Sequence, residues 1–182
     1  MNDAVQPTVV RLFGEVAENS ICDFVDALGQ APDDRDIVVE VTTPGGDAEM
    51  ARRAVRALNE KRQHHSAKMK FLGKTEVYSG GVTIMAAFPK QERFLSSDAV
   101  LLNHCRQLDK SIELSGPIRA SLALLESAQN QIELGIKLED DNFKRLIEGS
   151  DISLEEIQNR ALHNWYVSAE EAIKRGLIAG IE

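Results

Sequence analysis

Ser79 stands between an apolar run that ends at Tyr78 and the segment Gly80-Gly81-Val82-Thr-Ile-Met-Ala-Ala-Phe88, which Pro89 closes. The spacing of Val82, Met85 and Ala86 suits one helical turn, and proline cannot continue a helix interior. Ser79 is therefore expected at a strand-to-helix corner. A helix start presents unpaired N–H groups and a positive dipole end, both favouring negative charge. The two following glycines let backbone approach a ligand closely, so the position suits a nucleophile. Taken alone, the same serine reads as an N-cap, a role serine often fills.

The candidate proton acceptors are histidines. His104 ends an apolar run over residues 99–102 that continues through Asn103; a lone histidine there is more often a packed core residue than a base. His64 and His65 lie in the polar stretch 61–66 and are expected to be solvated. His163, beside Asn164, is a secondary candidate base. Cys105 could be a thiol nucleophile activated by the adjacent imidazole. Neighbours on a strand point to opposite faces, however, which places Cys105 in the core. Tyr78 and Trp165 read as packing residues, with Tyr78 also able to line a substrate pocket.

The elements that must position these groups follow from hydrophobic period and punctuation. Strands are expected at 8–13, 36–42, 68–72, 93–95 and 99–102. A helix over 20–28 has Ile21, Val25 and Leu28 on one face. Pro44-Gly45-Gly46 ends the second strand, and Asp47 can cap a helix from Ala48 to about Arg62, with Met50, Ala54, Ala57 and Leu58 inward. Pro117 opens a helix of about 117–148 that Gly149 terminates. Its apolar stripe is Ile118, Leu122, Leu125, Ile132 and Ile136, renewed by Phe143 and Leu146. Glu126, Glu133, Lys137, Glu139, Asp140 and Asp141 form its charged face, expected to be solvated. A helix this long predicts packing against another subunit. Ser153 and Ser168, each three residues before a glutamate, open two last helices.

Strands alternating with helices indicate an α/β domain with a largely parallel sheet. Both glycine corners follow strands and precede helices, so both should face one crevice at the carboxyl ends of the strands. Backbone N–H groups from the two turns could then form an oxyanion hole.

The chain has 182 residues, 43% hydrophobic and 27% charged, enough for one domain, 1–182, with a substantial core. A net charge of −8 argues against a nucleic-acid or acidic-membrane partner. Cys22 and Cys105 have no paired spacing, which implies reduced thiols and neither a disulfide framework nor a zinc site. The first residues lack a basic start and an apolar run, so no signal peptide is expected, and no stretch is long enough to span a membrane. A cytoplasmic location is expected.

Thr43-Pro-Gly-Gly46 before a helix, Ser79-Gly-Gly81 before a helix, Asn103-His104 after a strand, Trp165-Tyr-Val-Ser-Ala-Glu-Glu-Ala172 and Gly176-Leu-Ile178 occur in sequence. In order and spacing, from about Arg11 to the C-terminus, these resemble the Clp protease proteolytic subunit (ClpP) family. The Ser-Gly-Gly variant looks more like the signal peptide peptidase (SppA) branch of the same ClpP/crotonase superfamily. The resemblance implies a ClpP/crotonase-like spiral of (ββα) units with a protruding handle helix, and a self-compartmentalising serine endopeptidase acting on peptide or unfolded protein. It makes Ser79 the nucleophile, His104 the general base, and the Gly46 and Gly80 N–H groups the oxyanion hole. It implies no cofactor or metal, and a homo-oligomer of rings, stacked through the handle helices.

The chain departs from the family in three places. Asn164 stands where the family has an aspartate. An amide oxygen can orient the imidazole by accepting Nδ1–H, but cannot stabilise an imidazolium as a carboxylate does; the Asp-to-Asn change in one serine protease costs ~10⁴ in kcat. The segment from Gly73 to Ser79 is about two residues longer than the family spacing, and Tyr78 replaces a small residue. The stretch before the first strand is short for axial loops, so an ATPase unfoldase partner is not implied. Lys74 and Lys110 are the alternatives for a Ser-Lys dyad of the SppA kind, which would need burial to lower a lysine pKa. Two further readings share the fold: a crotonase-like acyl-CoA hydratase or isomerase, and a non-catalytic ring subunit.

Overall fold

The computed structural model describes residues 6–182. In chain order the elements are β1 (Thr8–Phe13), α1 (Glu18–Gln30), β2 (Ile37–Thr43), α2 (Ala48–His64), β3 (Met69–Tyr78), α3 (Gly80–Met85), a 3-10 turn (Lys90–Glu92), β4 (Arg93–Leu95), β5 (Val100–Asn103), α4 (Ile118–Ile147), α5 (Leu154–Ala161), β6 (Trp165–Ser168), α6 (Ala169–Lys174) and β7 (Gly180–Ile181). The fold is mixed α/β around a central sheet. Strands β1 to β5 and β7 pair in parallel, and β6 adds an antiparallel edge on β5.

Strand β3 runs further than the expected 68–72, and the extension positions the serine. Val41 pairs with Gly73 but Thr43 pairs with Val77, so two steps along β2 face four along β3. The two extra steps on β3 form a bulge. Thr75 takes φ 55° at the bulge, and the Thr42 hydroxyl donates to the Lys74 carbonyl at 3.1 Å across it. The bulge also makes β3 change partners. Before it, Phe71–Gly73 pairs with β4; after it, Glu76–Tyr78 pairs with β5. The sheet forks within one strand, and the β5 branch lies beside Ser79.

Helices cover one face of the sheet. Val10, Leu12, Val39, Val41, Phe71, Leu101 and Val167 point into that side and are buried. The opposite face shows Val9, Arg11, Phe13 and Tyr166 exposed, with Glu40 bridging Arg11 and Lys74. Caps form where the sequence places them. Asp47 accepts from Glu49 N–H at 2.7 Å and Met50 N–H at 3.0 Å, and Ser153 and Ser168 accept from the backbone N–H groups of Glu156 and Glu171. Pro117 occupies the N-cap of α4, one position before the first helical residue.

Helix α4 has 30 residues, of which Ala128, Phe143 and Leu146 are buried. Its predicted stripe, Ile118, Leu122, Leu125, Ile132 and Ile136, is exposed, with Ile118 at 86%. The carboxyl end of α4 is clamped by Arg93, which is 2% exposed. The Arg93 guanidinium donates to the carbonyls of Phe88 at 2.7 Å, Leu146 at 2.7 Å, Arg145 at 2.9 Å and Leu177 at 3.3 Å. These bonds occupy last-turn carbonyls of α4 that lack helical partners. Burial lowers the Arg93 pKa to about 10, with Glu148 acting the other way. Among the described residues no helix is long and apolar enough to cross a membrane.

Candidate active site

Ser79 lies at the strand-to-helix corner, with φ 52° and ψ −107°. A non-glycine residue in such a conformation costs about 1–3 kcal/mol and persists only where its surroundings fix it. Here both ends are fixed. Its N–H donates to the Leu102 carbonyl at 2.9 Å, and its own carbonyl accepts from Val82 N–H at 3.0 Å and Thr83 N–H at 3.2 Å. Its hydroxyl makes no capping hydrogen bond to α3, so the N-cap reading does not describe this side chain.

The Pro44-Gly45-Gly46 corner comes up against it. The Thr43 hydroxyl accepts the Gly45 N–H at 3.0 Å, which tightens the turn. Gly45 has φ 99°, and a Cβ there would sit 2.7 Å from Ser79 Cβ and 3.2 Å from the Tyr78 carbonyl. Gly46, φ 144°, forms a parallel bridge with Val16 that uses the Gly45 carbonyl and the Asp47 N–H. By strand geometry the Gly46 N–H then points to the opposite edge, the side of β3 and Ser79. Gly80 opens α3, so its N–H has no partner within that helix. Gly80 lines the cavity beside Ser79, whereas Gly46 lies outside its lining.

That cavity has a volume of about 480 Å³ and opens between α2, α3 and α4. Ser79, His104, Asn103 and Glu139 all line it. His104 is half-buried and its Nδ1 lies 2.7 Å from the Cys105 carbonyl oxygen. A carbonyl can only accept, so Nδ1 carries the proton and Nε2 of the neutral ring is left with its lone pair. The chain thus holds the tautomer a general base needs. Ser79 and His104 share the cavity without a hydrogen bond between them among the described residues; in free enzymes such bonds often tighten only with substrate.

Among the described residues no hydrogen bond joins Asn164 to the imidazole, and the two line different depressions. Antiparallel pairing ends at Asn103 opposite Trp165, which puts Asn164 at the next rung, opposite His104. Asn164 has φ 58°, however, is exposed, and lines a separate shallow depression with His163 and Tyr166. The acceptor for His104 Nδ1–H is main chain, a group that no sequence motif marks.

The alternative residues fall elsewhere. Lys74 Nζ is 2.6 Å from Glu40 Oε2 on the open sheet face, and Lys110 Nζ is 2.7 Å from Gln131 Oε1. Burial pushes the Cys105 thiol pKa up and the Glu139 carboxylate adds to it, opposite to an activated thiolate. Tyr78 does not line the cavity; it stacks edge-on with Tyr166 at 5.9 Å. Trp165 is buried under the Arg160 guanidinium, 4.9 Å from its ring centroid. His64 is exposed as expected, but both ring nitrogens of His65 are enclosed without partners.

Two cavity residues escaped sequence reasoning. Asn103 is 3% exposed and its Nδ2 has no partner, an uncommon state for a buried amide. Glu139, assigned to a solvated helix face, is half-buried and accepts the Arg106 backbone N–H. Asp140 and Asp141, expected on the same solvated face, are half-buried too, whereas Glu126, Glu133 and Lys137 are exposed. No protein-family model matches the chain, and no curated protein matches it.

Proposed function

We propose that the chain is a serine endopeptidase of the ClpP-like class, built on a ClpP/crotonase-type spiral. The observation that carries this reading is Ser79, in a strained backbone conformation with its hydroxyl uncapped, sharing one cavity with a histidine whose Nδ1–H is tied off. Backbone strain of this kind clusters at active sites, and a serine nucleophile needs its hydroxyl free for a base. The forked sheet and the long α4 support the spiral with its handle.

In the proposed reaction Ser79 Oγ attacks the substrate carbonyl carbon while His104 Nε2 takes the hydroxyl proton. The Gly46 and Gly80 N–H groups receive the oxyanion. Collapse breaks the C–N bond, His104 returns the proton to the leaving amine, and an acyl-Ser79 ester remains. Water, deprotonated by His104, releases the acid and restores the serine. The exposed apolar stripe on α4 supports assembly through a second copy of the chain, as the handle reading requires.

Intact mass after incubation with a fluorophosphonate or β-lactone probe tests the reading. One adduct is expected on the wild type and none on Ser79→Ala or His104→Ala. An unlabelled wild type that is folded and assembled would refute it and favour a non-catalytic ring subunit. The cavity carboxylates Glu139 and Asp141 keep the crotonase-like reading in view, and a thermal shift with acyl-CoA, absent labelling, would select that reading.

A further inference from the structure

A serine hydrolase whose Asn164 makes no hydrogen bond to the histidine among the described residues needs another group to hold and polarise the imidazole. The Cys105–Arg106 peptide bond is in that position. Its carbonyl oxygen lies 2.7 Å from His104 Nδ1, and its N–H donates to the Glu139 carboxylate. Both ends of one planar amide are thus engaged, one by the histidine and one by an acid. Glu139 comes from α4 and lines the same cavity as Ser79 and His104.

We propose that Glu139 is the positioning residue of this site, acting on His104 through the Cys105–Arg106 peptide in place of a direct carboxylate. This rests on the serine-hydrolase reading of the cavity. An amide whose N–H donates to an anion becomes a stronger acceptor at its oxygen, because hydrogen bonds in a chain polarise one another. Glu139 therefore both fixes the peptide plane and strengthens the bond that holds Nδ1–H. As Nε2 takes the serine proton, the imidazolium charge is stabilised by the polarised carbonyl. No proton leaves Nδ1, and none is exchanged with Glu139.

The Cys105 thiol is pushed up in part by the Glu139 charge. The Arg106 guanidinium pairs with Glu49, so the Glu139 carboxylate meets the Arg106 backbone N–H and the Cys105 thiol. The peptide is held from both sides, with α2 gripping the Arg106 side chain and α4 its N–H.

The test uses full-length protein with ¹⁵N-labelled histidine at about pH 9, above the ordinary imidazole range, with His104→Asn to assign the signal. The wild type is expected to show a protonated Nδ1 and an unprotonated Nε2. Glu139→Leu should lose that bias and slow fluorophosphonate labelling of Ser79 about tenfold or more. Glu139→Gln, which keeps an acceptor oxygen without the charge, should keep the tautomer and label at an intermediate rate. Asn164→Ala should match the wild type in both. The proposal is overturned if Glu139→Leu keeps the wild-type tautomer and rate, or if Asn164→Ala is the variant that shifts them. If Glu139→Leu does not fold, a Glu139→Gln rate equal to wild type overturns the role of the charge. If the wild type does not label at all, the hydrolase reading fails, while the nitrogen signals still decide whether Glu139 sets the tautomer.

Discussion

Replacing Gly45 by alanine asks whether the second glycine corner holds the nucleophile. The added Cβ would lie 2.7 Å from Ser79 Cβ, whereas carbons settle at about 3.5–4.0 Å, so one must retreat by roughly an ångström. The other near contact, 3.2 Å to the Tyr78 carbonyl, is main chain and yields little. Ser79 is the part that moves, and it is already pinned by Leu102 and by the first turn of α3. Alanine at φ 99° adds strain of about 1–3 kcal/mol. A misplacement of about 1 Å at a reacting group can cost ~10²-fold in rate. Gly45→Ala is thus expected to label with fluorophosphonate about a hundredfold more slowly, with unfolding free energy reduced by about 2 kcal/mol. Timed intact-mass measurements give the rate and urea unfolding gives the stability. Gly29→Ala is the control: it lies in α1 with nothing within 4 Å of an added Cβ. It should leave labelling unchanged and raise stability by up to about 1 kcal/mol. Wild-type labelling and stability in Gly45→Ala would refute the claim that the turn positions Ser79.

Two further outcomes follow from charges in the fold. Arg93→Met strands the carbonyls of Phe88, Arg145, Leu146 and Leu177, and should cost about 2–4 kcal/mol in urea unfolding after relief of the buried charge. An unchanged midpoint would show that the clamp is dispensable. Glu40 is held below its ordinary 4.5 chiefly by its hydrogen bond to Lys74 and also by Arg11. Because its folded pKa is depressed, the stability it adds is present above 4.5 and lost as pH falls through the lower folded value. Thermal melts should therefore decline on acidification below that pH, and Glu40→Gln should show a shallower decline from a lower starting point.

The fold was legible where a local rule governs it. Asp47, Ser153 and Ser168 cap the helices their spacing marks, and β1 begins and ends at the predicted residues, because caps and strand periods are properties of short stretches. The end of β3 was not legible, since a bulge is set by pairing across two strands. At the site, Ser79 and His104 share a cavity as their strand-end positions imply. Asn164 was assigned by a motif, yet where its side chain lies depends on a positive φ after α5 that no pattern of apolar residues encodes. Glu139 was invisible for a related reason: its partner is a backbone N–H from a segment 33 positions away.

The anchoring of α4 has a mechanical consequence. The helix is gripped near Leu146 by Arg93 and by buried Phe143, while Ile118 at its other end stands in the open. At about 1.5 Å per residue, the tip lies roughly 42 Å from that fulcrum and Glu139 only about 10 Å from it. The helix is therefore a lever with a fourfold reduction: a swing of about 4 Å at Ile118 arrives at Glu139 as about 1 Å, the difference between a hydrogen bond made and one broken.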